Sequence, residues 1–253
     1  MWIAILVAVI GVCVGSFLNV CIYRLPRHQS LMWPGSRCTR CDRALSWYEN
    51  IPVVSWMVLR GRCRTCREPV SWMYPAVEIV TALTFLSGYL LYGLTPIGAV
   101  RVLFACALIV LFVTDLQHKI LPNVITVPGI VAGFLCSLLL PPGWRDSLIG
   151  IVVGGGSLFA IAEAYYRFRG QEGLGMGDVK LLWMIGAFLG WKLVLLTLVF
   201  ASFAGSLAGG ALIVSGRGNL KYALPFGTFL AVGALVASIW GAPIVDWYLG
   251  FYV

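Results

Sequence analysis

The residues able to do chemistry in this chain are few. Only ten acids occur among 253 residues, and those beside apolar stretches are Glu78, Asp115, Glu163 and Asp178. An ionisable group at membrane depth is costly and is functional by default. Asp115 closes an apolar run in Phe112-Val113-Thr114-Asp115-Leu116-Gln117-His118-Lys119. Asp178 follows Gly173-Leu174-Gly175-Met176-Gly177 and opens the next apolar segment. Two carboxylates brought together cannot easily both ionise, so they share a proton and titrate as a pair. One then acts as base on water, while the protonated partner polarises a carbonyl. The glycines before Asp178 allow the backbone to bend and a peptide to approach closely. Taken singly, each aspartate is equally well read as a charge at a helix end.

Cysteines form the second constellation. Cys38-Thr39-Arg40-Cys41 and Cys63-Arg64-Thr65-Cys66 are two CxxC pairs separated by 21 residues. That is one residue beyond the usual zinc-ribbon spacing. Four soft thiolates suit tetrahedral zinc, and a closed four-Cys site has no open position for catalysis. Redox or incidental thiols are the alternative. Cys13, Cys21, Cys106 and Cys136 lie in apolar stretches and are read as small buried hydrophobes.

The elements that must position these groups are set by composition. Sixty per cent of the residues are hydrophobic and 11% charged, with mean hydropathy +0.92. A water-soluble fold could not hide that much apolar surface. The apolar runs are continuous rather than alternating, which excludes a β-barrel. The fold expected is an all-α polytopic membrane protein of about eight segments, near 2–23, 73–93, 97–115, 124–140, 147–166, 179–190, 192–214 and 225–242. The segment 179–190 is short for a span. No basic residue precedes the first run, so it reads as a retained helix, not a cleaved signal. The expected division is a first helix over 1–23, an extramembrane zinc-binding domain over 24–72, and a polytopic catalytic domain over 73–253.

Charge orients the chain. With the N-terminus outside and each segment crossing once, fifteen of the 18 Lys and Arg fall inside. Only Arg101, Arg145 and Lys192 fall outside, which fits the positive-inside rule. The loop 24–72 is then cytoplasmic, where disulfides are reduced. It carries nine Arg against Asp42, Glu49 and Glu68. A basic patch beside a bilayer attracts anionic headgroups; a tethered domain of this size argues against nucleic acid as its partner.

Gly175-x-Gly177-Asp178 resembles the GxGD signature of intramembrane aspartyl proteases, and the wider pattern resembles the prepilin peptidases (type IV leader peptidases). The supporting stretches are Gly15-Ser16-Phe17-Leu18-Asn19, Arg24-Leu25-Pro26, the two CxxC pairs, Trp47-Tyr48-Glu49-Asn50-Ile51-Pro52, Tyr74-Pro75-x-x-Glu78, Leu121-Pro122, Asp178-Val179-Lys180 and Leu224-Pro225-Phe226-Gly227. The resemblance runs nearly end to end. It implies that Asp115 and Asp178 are the catalytic pair and that Cys38, Cys41, Cys63 and Cys66 bind structural zinc. It implies prepilin or pseudopilin substrates cut at the cytoplasmic face of the bacterial inner membrane. It also implies N-methylation of the new N-terminus from S-adenosylmethionine, by residues the motifs do not identify. Asn123, where the family commonly has an acid, and Thr39, where it commonly has Pro, are departures outside these sites.

Two other classes compete with this reading. A transporter would use Asp115 and Asp178 as a proton relay, but predicts repeated half-sequences that are not seen. A non-enzymatic scaffold leaves the GxGD pattern unexplained. Glu78 is open between stabilising its helix, pairing with a cation and contacting substrate. Lys180 is open between a headgroup and Asp178. Glu163 is expected to pair with Arg167 at i+4, and Gly154-Gly155-Gly156 to form a close helix-packing surface.

Overall fold

The structure, a computed structural model, describes residues 2–170, 175–216 and 224–251. Gly173 and Leu174 of the GxGD stretch, and Arg217 and Lys221 of the charge argument, lie outside the described residues. Among the described residues there are eight α-helices: α1 (Trp2–Arg24), α2 (Val54–Val58), α3 (Met73–Tyr92), α4 (Pro96–His118), α5 (Asn123–Ser137), α6 (Trp144–Arg169), α7 (Met176–Val214) and α8 (Phe226–Leu249). Among the described residues there is no strand beyond two isolated bridges. Six of these helices are long and apolar enough to cross a membrane, so the chain is a multi-pass all-α membrane protein.

The two expected segments outside those six have separate explanations. One is α5, only 15 residues long, which starts after Pro122 and carries Pro128 inside it. The other, 179–190, is joined to its successor in α7, whose 39 residues are divided at Gly190 (φ 78, ψ 176). Only glycine adopts that backbone without strain. The part before the break is enclosed by protein: Val179, Leu181, Leu182, Met184, Ile185 and Ala187 are fully buried.

The chain divides into two compact units, Met1–Val110 and Leu111–Val253, with the division inside α4. In the first, α1 packs on α3, and Gly11 and Gly15 permit the contact: a Cβ at Gly15 would lie 2.7 Å from the Glu78 Cα. In the second, α5, α6 and α8 pack on α7. The triple glycine behaves as expected at two of its three positions. Gly154 faces Val194 and Gly155 faces the Trp183 ring, whereas Gly156 faces open space. Glu163 pairs with Arg167 at 2.9 Å.

Candidate active site and metal centre

In the first unit, the loop between α1 and α3 folds as two matched turns. The Cys38 amide donates to the Arg43 carbonyl at 3.0 Å, and the Asp42 amide to the Cys38 carbonyl at 3.0 Å. The second turn repeats this: Cys63 donates to Glu68 at 2.8 Å, and Arg67 to Cys63 at 3.0 Å. Asp42 (φ 52) and Arg67 (φ 59), each four residues after the leading cysteine, are left-handed. A bridge closes each turn, Arg37 with Ala44 and Arg62 with Pro69.

These turns bring the four expected sulfurs together. The Sγ atoms of Cys38, Cys41, Cys63 and Cys66 all lie within 4.8 Å of one another, and those of Cys38 and Cys66 are 3.7 Å apart. Zinc–sulfur bonds of about 2.3 Å in a tetrahedron place sulfurs roughly 3.8 Å apart, so the residues present fit a metal ion. The amides of Cys66 and Thr65 point at the Cys63 sulfur and hold its thiol down at about 6. The amides of Cys41 and Arg40 lower the Cys38 thiol in the same way. Hydrogen bonds to a thiolate favour the ligating form.

Two carboxylates anchor the loop. Glu49 is buried and pairs with Arg43 at 2.6 Å, while its other oxygen accepts from the Ser46 amide at 2.8 Å. Arg43 holds the Glu49 carboxyl below the ordinary range, with the Ser46 amide assisting. Glu78, buried on α3, accepts from the Val53 amide at 2.7 Å and lies near the side chains of Ser16 and Asn19 on α1. Asn19 in turn donates to the Tyr74 carbonyl at 3.0 Å. Val53 is β-branched at φ 61, a strained conformation that this bond helps hold. Glu78 therefore ties the loop to the α1–α3 pair and has no cation partner among the described residues. Where α1 meets the loop lies an open groove of about 320 Å³ lined by Cys13, Ser16, Phe17, Val20, Ser36, Asn50 and Pro52.

In the second unit, Asp115 and Asp178 stand on different helices. Asp115, 5% exposed, lies in the last turn of α4, which ends where Lys119 turns left-handed (φ 54). Its Oδ2 accepts from the Thr228 amide at 2.6 Å and the Thr228 hydroxyl at 2.9 Å. Asp115 thus satisfies a free N–H in the first turn of α8, where a helix favours negative charge. Asp178 is in the first turn of α7, and its amide donates to the Gly175 carbonyl at 3.1 Å. Its carboxyl lies within electrostatic reach of Asp115.

Leu121 explains two of the motif glycines. A Cβ on Gly177 would lie 3.2 Å from the Leu121 Cβ, and one on Gly227 would lie 2.9 Å from its Cδ1 and 3.0 Å from the Asp115 Oδ2. One side chain therefore sits against the start of both α7 and α8, and glycine is what lets them approach. The Lys180 Nζ donates to the Asn123 Oδ1 at 3.0 Å and not to Asp178. The sequence reading missed Thr228. Its only local signal is its place after Leu224-Pro225-Phe226-Gly227.

Residues 9–92 match the model of the bacterial peptidase A24 N-terminal domain, and 102–210 that of the type IV leader peptidase family. The Myxococcus xanthus protein named prepilin leader peptidase/N-methyltransferase is 44% identical over 209 residues, 81% of this chain and 62% of that protein. Proteins of the same name from Stutzerimonas stutzeri and Pseudomonas aeruginosa are 34% and 33% identical, each covering 96% of this chain, which spans 92% of their length. No solved structure gives a significant match. The two aspartates on separate helices, the four clustered thiols and these likenesses agree: the chain belongs to the type IV leader peptidase family.

Proposed function

We propose that this protein is an intramembrane aspartic endopeptidase that removes the leader of prepilins and pseudopilins, and that Asp115 and Asp178 are its catalytic pair. The observation that carries this is two carboxylates from different helices, within electrostatic reach of each other, Asp178 in the first turn of α7 and Asp115 bonded to the first turn of α8. One carboxylate takes a proton from water as the water oxygen bonds to the scissile carbonyl carbon. The other gives its proton to the carbonyl oxygen. Collapse of the resulting diol breaks the C–N bond, and the departing amine takes a proton from the pair. A transporter relay would need the same carboxylates but gives no role to the family likeness.

The cut is at the cytoplasmic face of the bacterial inner membrane, as the asymmetric Lys and Arg distribution supports. The loop 24–72 is a cytoplasmic zinc-binding domain, with Cys38, Cys41, Cys63 and Cys66 as structural ligands. Its exposed Met32, Trp33 and Trp72, beside nine Arg, suit a headgroup layer. The new N-terminus is then N-methylated, S-adenosylmethionine supplying the electrophilic methyl. Ser16, Ser36 and Asn50 offer hydrogen bonds and Phe17 a ring face for such a donor in the open groove where α1 meets the loop.

The test is incubation of the purified protein in detergent with a prepilin. A size drop with a new N-terminus one leader shorter is expected. An intact substrate under conditions where the protein is folded and zinc-loaded would refute the reading.

A further inference from the structure

We infer that Thr228 makes the aspartate pair unequal: its amide and hydroxyl hold Asp115 as the charged member, and the shared proton resides on Asp178. This rests on the reading of these two residues as the reacting pair. It adds a positioning residue and assigns base and acid between them.

The observation is an imbalance of donors. Asp115 Oδ2 receives two, at 2.6 and 2.9 Å, both from one residue of α8. Among the described residues no hydrogen-bond donor reaches the Asp178 carboxyl. The charged groups facing Asp115 are Asp178 from α7 and Lys119 just past the end of α4. Lys119 adds to the preference for charge at Asp115. The start of α7 would favour charge on Asp178, but the helix-start effect acts on both carboxyls, since that of Asp115 accepts from the first turn of α8. What differs is the pair of direct hydrogen bonds, and bonds to an ionised acceptor are the strong ones. They also occupy only Oδ2. Oδ1 of Asp115 is left to take the proton of water, while the proton on Asp178 faces the carbonyl oxygen. Thr228 touches Asp115 and is not itself required to touch substrate.

Thr228→Val keeps the amide and the side-chain shape but removes the hydroxyl. Thr228→Ala removes the hydroxyl without adding a methyl, and Thr228→Ser keeps it. Purified full-length variants are assayed against a prepilin for kcat and KM, with Asp178→Asn in parallel. The expected result is that Thr228→Val and Thr228→Ala lose about tenfold to a hundredfold in kcat, the range for one hydrogen bond to a charged group. KM is unchanged, and Thr228→Ser recovers most of the lost kcat. That split marks an interaction made for the chemical step rather than for binding. Should Thr228→Val fail to fold, Thr228→Ala and Thr228→Ser carry the same comparison. Wild-type kcat in Thr228→Ala, a loss confined to KM, or a Thr228→Ser variant as slow as Thr228→Ala would overturn the inference. The larger reading fails separately: it falls if Asp178→Asn turns over like wild type, whatever Thr228 does.

Discussion

The loop between α1 and α3 and the cluster at the starts of α7 and α8 solve the same problem in different ways. Each must hold charged or nucleophilic groups close together. The loop does it with short-range turns: every backbone–backbone hydrogen bond that shapes its two cysteine turns spans at most nine residues, as from Val70 to Gly61. The cluster does it with long-range packing, Asp115 reaching Thr228 across 113 residues. A site built from local turns depends on its ligand for stability, because a loop of this size has little core. A site built from packed helices is stable without its chemistry. Removing the working groups should therefore unfold the first and leave the second standing.

The largest effect is expected at the packed site. Asp115→Asn or Asp178→Asn should lower cleavage by about a thousandfold or more, since each removes the shared proton or the base. The protein should remain folded in the membrane, measured by its yield and helical content after purification. Either variant with near wild-type turnover would break the comparison at its centre.

The loop should respond in the opposite sense. Elemental analysis should find one zinc per chain. Converting Cys38 and Cys41 to Ser should release it and make the loop sensitive to protease, because structural zinc contributes about 10 kcal/mol or more to such small domains. A metal-free protein whose loop resists protease would refute the assignment.

A smaller effect tests the carboxylate that braces the loop. The Glu49 carboxyl is held below its ordinary range by Arg43. A depressed carboxyl contributes stability that is present above its unfolded value and is lost as pH falls through the folded one. Glu49→Gln should therefore lower the thermal midpoint of the loop near neutral pH. The difference from wild type should shrink on acidification below the ordinary carboxylate range. A constant difference across that range would show that Glu49 acts through packing and not charge.

The same contrast explains what the sequence made legible. The clustering of the four thiols was readable because a CxxC spacing is a local pattern that encodes its own turn. The break in α7 was readable as the gap between the expected segments 179–190 and 192–214, though the burial of the first of them was not. The aspartates stood out as rare acids in apolar surroundings. Their environment was hidden: nothing near Asp115 in the chain indicates that Thr228 donates to it, or that Leu121 packs against both Gly177 and Gly227. Glu78 was open between three roles because its acceptor bond to the Val53 amide depends on how the loop folds back. Long-range partners of this kind come from tertiary packing, which periodicity does not encode.

The most direct measurement crosses the two regions with the two proposed activities. Cleavage of prepilin and methyl transfer to pre-cleaved pilin from labelled S-adenosylmethionine are assayed in Asp178→Asn and in the Cys38→Ser, Cys41→Ser double variant. Methyl transfer needs an uncharged amine held in line with the donor methyl, a matter of positioning that uses no carboxylate pair. Asp178→Asn should abolish cleavage and leave methylation of pre-cleaved pilin largely intact. The double cysteine variant should lose methylation more than cleavage. If Asp178→Asn loses methyl transfer as completely as it loses cleavage, the two activities share one site and the division of labour between the regions is wrong.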